Sequence, residues 1–74
     1  MEIPSKNSQL LLEIERMSGN TIPVISMTLR IDKEQIQALL NDENISYQTF
    51  TKIFHCYLKL RLAEDKNKSM ANAA

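Results

Sequence analysis

Seventy-four residues hold one glycine, two prolines, one cysteine and no tryptophan, and aromatics make up only 5% of the chain. With so few breakers, helices joined by short turns are favoured over a sheet, whose corners need Gly and Pro. A lone cysteine, Cys56, cannot close an internal disulfide, and His55 beside it lacks the further ligands of a zinc site. No metal or cofactor is expected. An excess of one charge is missing too: nine Lys+Arg balance nine Asp+Glu, with a pI near 6.6. That balance argues against a polybasic nucleic-acid tail or a membrane-surface peptide. It lowers the expectation of DNA binding without removing it, because a local basic stripe can suffice. Long apolar runs are likewise absent; none approaches the roughly 20 residues that span a bilayer. The start, Met1-Glu2-Ile3-Pro4-Ser5-Lys6, has no basic-then-apolar secretion pattern, so a cytoplasmic setting is expected.

What is present is a core. Hydrophobic residues make up 43% of the chain, enough for one folded domain. A domain this small buries only about 60% of the surface its unfolded chain exposes, and with disulfide and metal unavailable a partner chain is a reasonable expectation. The spacing of apolar residues predicts an all-α bundle of four to five helices over residues 5–62, followed by a polar, fraying tail over 63–74. The first helix runs from Lys6 to Ser18, capped by Ser5, with Leu10, Leu11, Ile14 and Met17 on one face and Gly19 closing it. The second, Ile22 to Leu29, follows Thr21 as N-cap and tolerates Pro23 in its first turn. Asp32 with Gln35 has the form of a capping box, in which Gln35 reaches back to the N–H of Asp32, and Ile36, Leu39 and Leu40 give the third helix its buried stripe. After Asn41-Asp42-Glu43-Asn44, Ser46 opens a fourth helix with Phe50, Ile53, Phe54 and Tyr57 at i, i+3, i+4 and i+7. Leu58, Leu60 and Leu62 alternate with Lys59 and Arg61, which suits a strand as well as a continuing helix; the helix is preferred.

Only Arg30-Ile31-Asp32 separates the second and third helices, and so tight a connection makes them cross steeply, as in a helix-turn-helix. At this point the span Thr21 to Leu60 resembles the helix-turn-helix domain of the lambda repressor and Cro family. The order of parts is similar: a short capped helix, a tight turn, a capped third helix with Ile36 buried, then Leu39-Leu40-Asn41 like the family's closing apolar-x-Asn. With the first helix and Gly19 the resemblance covers roughly residues 5–62. It departs at Arg30, where the family has Gly, so that a non-Gly residue there needs positive φ at about a kcal/mol. It departs also at Ser26 (usually Ala), at Ile22 (often a phosphate-contacting Gln) and at Asp42-Glu43, acids that oppose phosphate approach.

The resemblance implies a DNA-binding transcriptional regulator, a homodimeric repressor of the phage or mobile-element kind. Lys33, Glu34 and Gln37 would read base edges, with Arg30 and Asn41 in the same DNA-facing set and Lys52 and Lys6 available for phosphates. Lys suits guanine O6/N7, Gln suits adenine N6/N7, and Glu accepts from cytosine N4. A plain solvated helix face accounts for the same residues, since all three are good helix formers. Leu58, Leu60 and Leu62 exceed what one helical face can bury with Phe54 and Tyr57, and are read as a dimer interface, unless Leu10-Leu11-Leu12 covers them. Adjacent residues on a helix point about 100° apart, so His55 and Cys56 are not a nucleophile pair, and an enzyme is not expected. Met17 and Met27 read as core filler. The second reading is a helix-turn-helix module that binds another protein, an anti-repressor or modulator, favoured by Asp32, Glu34, Asp42 and Glu43.

Overall fold

The computed structural model describes the backbone of residues 3–73 and the side chains of residues 3–67. Four helices follow one another: α1 (Asn7–Ser18), α2 (Ile22–Leu29), α3 (Lys33–Leu40) and α4 (Tyr47–Ala73), and no strand occurs among the described residues. This is a small all-α bundle. α1 is its pillar, packing most extensively on α4, then on α3 and α2. Leu10, Leu11 and Ile14 of α1 meet Ile25, Ile31, Ile36, Leu39, Ile53 and Tyr57 in one core.

The helix ends explain why the connections are so short. Gly19 takes φ 74° and its N–H reaches the Glu15 carbonyl at 3.0 Å, the left-handed closure for which glycine is suited. α2 and α3 close the same way without glycine. At the end of α2, Arg30 stands at φ 55°; its N–H bonds the Met27 carbonyl (3.3 Å) and the Ile31 N–H bonds the Ser26 carbonyl (3.0 Å). At the end of α3, Asp42 stands at φ 55°; its N–H bonds Leu39 (3.2 Å) and the Glu43 N–H bonds Ala38 (2.8 Å). Both are full Schellman motifs, satisfying carbonyls that would otherwise end the helix unpaired. Asp tolerates the left-handed region through its short polar side chain; Arg30 does so at a cost.

The N-termini differ from the local expectation. Lys6, not Ser5, is the cap residue of α1, and neither it nor Thr21 nor Asp32 makes a side-chain cap bond. The cap of α1 comes instead from 34 residues away. Asp42 accepts the Ser8 N–H on Oδ1 (3.1 Å) and the Ser8 hydroxyl on Oδ2 (3.0 Å). A carboxylate facing free N–H groups at the positive end of a helix is favourable, and here it ties the exit of α3 to the entry of α1. Gln35 does not reach back to Asp32 either: its Oε1 accepts the Ser46 N–H at 2.8 Å, pinning α4 to α3. Ser46 caps α4, its Oγ accepting the Thr49 N–H at 3.1 Å.

The Ser8 N–H, then the Ser8 hydroxyl, hold the Asp42 carboxyl below its ordinary value, with Lys6 adding to the effect. A carboxylate whose folded pKa is depressed contributes stability above its unfolded pKa, near 3.9, and loses that contribution as pH falls through the folded value. Asp42→Asn, which keeps one acceptor and tolerates the backbone, should therefore unfold at lower denaturant than the parent at pH 7, and the gap should close as pH falls below about 4. Urea titrations at both pH values check this.

α4 departs from the expected buried stripe at one position. Ile53 and Tyr57 are buried as expected, but Thr49 takes the place of Phe50 beside them; Phe50 is 36% exposed and stacks on half-buried Phe54, ring centres 5.5 Å apart. Residues 58–62 are helical, and the helix does not stop at Leu62 but continues to Ala73, through the span expected to fray. Arg16 of α1 carries the packing as far as Glu64, with their charged atoms 3.5 Å apart.

Candidate nucleic-acid interface

The corner between α2 and α3 is clamped from three sides. Ile31, at its centre, is buried with Ile25 in the core, the apolar contact that usually accompanies a Schellman end. The Ser26 hydroxyl donates to the Ile31 carbonyl at 2.8 Å, so the serine that stands in for a small apolar residue both fits and binds the turn. Lys52 of α4 donates from Nζ to the Arg30 carbonyl at 3.0 Å. It places a cation where α2 leaves its carbonyl-rich end, the favourable sign for a helix C-terminus. Nothing in the local sequence marks Lys52 for this, because the contact spans 22 residues.

With that corner held, α3 turns Ile36 and Leu39 into the core and leaves Lys33, Glu34, Gln37, Leu40 and Asn41 exposed. Lys33 and Gln37 are one turn apart and so stand above one another on a single ridge. Leu40 was expected inside; at 42% exposure it continues the ridge instead, because Leu39 takes the inward place. Arg30 is exposed beside the first turn. The structure thus presents all five of the expected DNA-facing residues on the surface, three of them on one helical turn and its continuation.

The charges here are mixed. Arg30, Lys33 and Lys52 supply cations, Asp32 and Glu34 acids, and all five are exposed. Asp42 is engaged in capping α1. A surface of this kind offers an α-helix for a groove with only modest attraction to phosphate. Arg30→Gly separates the two contributions of that residue. Relief of the positive φ should raise folding stability by up to about 1 kcal/mol, partly offset by the more flexible unfolded chain. Loss of the guanidinium should at the same time lower affinity for any polyanion. Thermal unfolding and binding, measured on the same variant, should move in opposite directions.

The other candidates disperse. Ile22 is half-buried against the core and cannot play the part of a phosphate-contacting glutamine. Met27 is not core filler: it is 80% exposed on α2, because α2 shows the core only Ile25 and the edges of Ile22 and Leu29. Lys6 is exposed at the entry of α1. Of the three leucines read as a dimer interface, Leu58 and Leu60 already pack partly buried against the core, and only Leu62, 59% exposed, stands free of it. His55 is exposed while Cys56 is half-buried, and burial raises the Cys56 thiol's pKa, leaving it less able to act as a nucleophile. No group of three metal-ligating side chains and no helix long and apolar enough to cross a membrane occurs among the described residues. Comparison with family models, with curated proteins and with solved structures finds no match, so the function must be read from the geometry of the site itself.

Proposed function

We propose that this protein is a sequence-specific DNA-binding regulator of transcription that acts as a homodimer in the manner of the lambda repressor and Cro family it resembles. One observation carries the reading: a three-residue corner, clamped by Ser26 and Lys52, sets an exposed Lys33–Gln37 ridge on a helix whose other face is buried through Ile36 and Leu39. A rigid ridge of this kind suits the major groove, whose base edges offer acceptors to Lys33 and a matched donor–acceptor pair to Gln37. Two-fold pairing predicts a palindromic site with half-sites about one helical turn, or a multiple of it, apart. The cytoplasmic setting expected from the sequence is consistent with this role.

A gel-shift titration against the DNA upstream of its own gene tests the reading. A discrete complex on one short segment, outcompeted by that segment and not by unrelated DNA, is the expected result. The salt dependence of binding should be shallow, since each phosphate neutralised contributes a slope of about −0.9 and few cations line this face. Equal binding to all DNA, or none at millimolar salt, overturns it.

A second reading, a module that binds another protein in place of DNA, draws on a specific feature: Val24 (44% exposed) and Met27 (80%) leave two large apolar side chains open on α2, and the acids Asp32 and Glu34 are exposed as well. Absence of any DNA complex together with loss of a protein partner in Met27→Lys would favour it.

A further inference from the structure

We propose that the outer face of α4 docks an acidic helix of a different protein. Five exposed side chains, Lys52, His55, Lys59, Leu62 and Lys66, follow one another along α4 at steps of three, four, three and four residues. Residues at those steps are neighbours on a helix surface, so the five form one stripe, about 21 Å long at a rise of about 1.5 Å per residue. Ile53 and Tyr57 meet the core from the other side of the helix.

The stripe carries three lysines and no acid. The two acids in this stretch of α4 are engaged elsewhere: Glu64 stands 3.5 Å from Arg16 of α1, and Asp65 3.7 Å from Arg61. Lys59 and Lys66 have no ion pair or hydrogen bond among the described residues. Lys52 gives one of its three N–H groups to the Arg30 carbonyl and keeps its charge. The positive charge of the row is therefore left for something outside the chain.

Spacing and composition favour a helix as that partner. Steps of three and four residues repeat every 3.5 on average, the seam along which two packed helices stay in register. The lysines recur every seven residues, about 10.5 Å apart, an interval that Glu or Asp on a facing helix reproduces. Leu62, 59% exposed, sits between Lys59 and Lys66, where a protein partner supplies an apolar neighbour. Nucleic acid would answer the lysines but offer Leu62 only sugar and phosphate. An anionic membrane needs a broad apolar face beside the basic one, and this stripe holds a single leucine. A second copy of the chain would bring the same cations, and like charges oppose the contact. The stripe lies apart from the open apolar side chains of α2, and the inference does not rest on DNA binding.

Fluorescence anisotropy tests it with a labelled helical peptide carrying Glu every seven residues and Leu between them, titrated with the full chain. Lys52 also borders the α2–α3 corner, so the variants are Lys59→Glu and Lys66→Glu, with Asn20→Glu in the loop after α1 as control. All three positions are exposed, and circular dichroism follows the helix content of each variant. The other probes are a scrambled peptide of the same composition, a random-sequence DNA duplex and phosphatidylserine vesicles. The parent should bind the helical peptide more tightly than the scrambled one. Each α4 variant should weaken that binding by at least about tenfold, and Asn20→Glu should leave it intact. If one α4 variant loses helix content, the other decides. A parent that does not bind the peptide, or α4 variants that bind it as the parent does, overturn the proposal. A scrambled peptide that binds equally well overturns it too, leaving only a general patch of cations. Loss of duplex or vesicle binding in the α4 variants, with peptide binding unchanged, would overturn it by assigning the stripe to phosphate.

Discussion

Leu39→Ala should lower the unfolding midpoint of this chain far more than any change at an exposed position of the same helix. The Leu39 side chain is fully buried, at 0% exposure, in the core where α3 meets the pillar helix α1. Truncating a buried leucine costs about 2–5 kcal/mol, the transfer of the lost methyl groups plus the cavity left behind. For 74 residues the total stability is on the order of 4–11 kcal/mol, so this one change consumes much of it. Leu40→Ala, next to it on the same helix but 42% exposed, should cost far less. Urea unfolding followed at 222 nm compares the pair, and a shared midpoint would contradict the inward turn of Leu39. The same measurement bears on function. Ile36 and Leu39 are what hold α3 against the body, so the ridge that carries Lys33 and Gln37 should disappear along with them.

Gln37→Ala should act in the opposite way, with binding lost and folding kept. Gln37 is exposed and makes no contribution to the core, so the unfolding midpoint should stay within about 0.5 kcal/mol of the parent. Under the proposed function its amide pairs with an adenine edge, and removing it should cost about 1–3 kcal/mol on the correct site, or about 5–150-fold in affinity. Binding to unrelated DNA should hardly change, because that binding comes from cations meeting phosphate. Lys33→Ala should lose affinity on both counts, being a candidate for base and phosphate alike. Gel shifts on the specific site and on random DNA, at fixed salt, separate these outcomes. A Gln37→Ala variant that binds every sequence as the parent does would end the base-reading role of this ridge.

Arg30 and Asp42 show how far a family-like pattern can be followed from residues alone. The departure of Arg30 from glycine announces a positive φ, and the structure has it at 55°, because the Schellman closure of α2 puts its closing residue in the left-handed region whatever its type. Asp42 reads as an acid opposing DNA. In three dimensions it is the cap of α1, bonded twice to Ser8. No local feature could foretell that, since its partner lies 34 positions away.

By itself, then, the sequence determined that this chain is helical, where the first three helices begin and end and where the fourth begins, to within about a residue, and that residues 30–32 form a tight corner; it did not determine the end of α4. Glycine and proline positions, cap-forming residues and apolar spacing act within a single turn of chain, so their consequences are settled before any helix meets another. Tertiary structure alone decided who satisfies whom. Asp42 in place of Ser5 at the head of α1, Gln35 lent to Ser46, Lys52 on the Arg30 carbonyl, and Thr49 in place of Phe50 in the core are all outcomes of packing. A free N–H donates to whichever oxygen is brought near, and a helix face buries whichever stripe its neighbours allow; both depend on distances that only the assembled bundle defines.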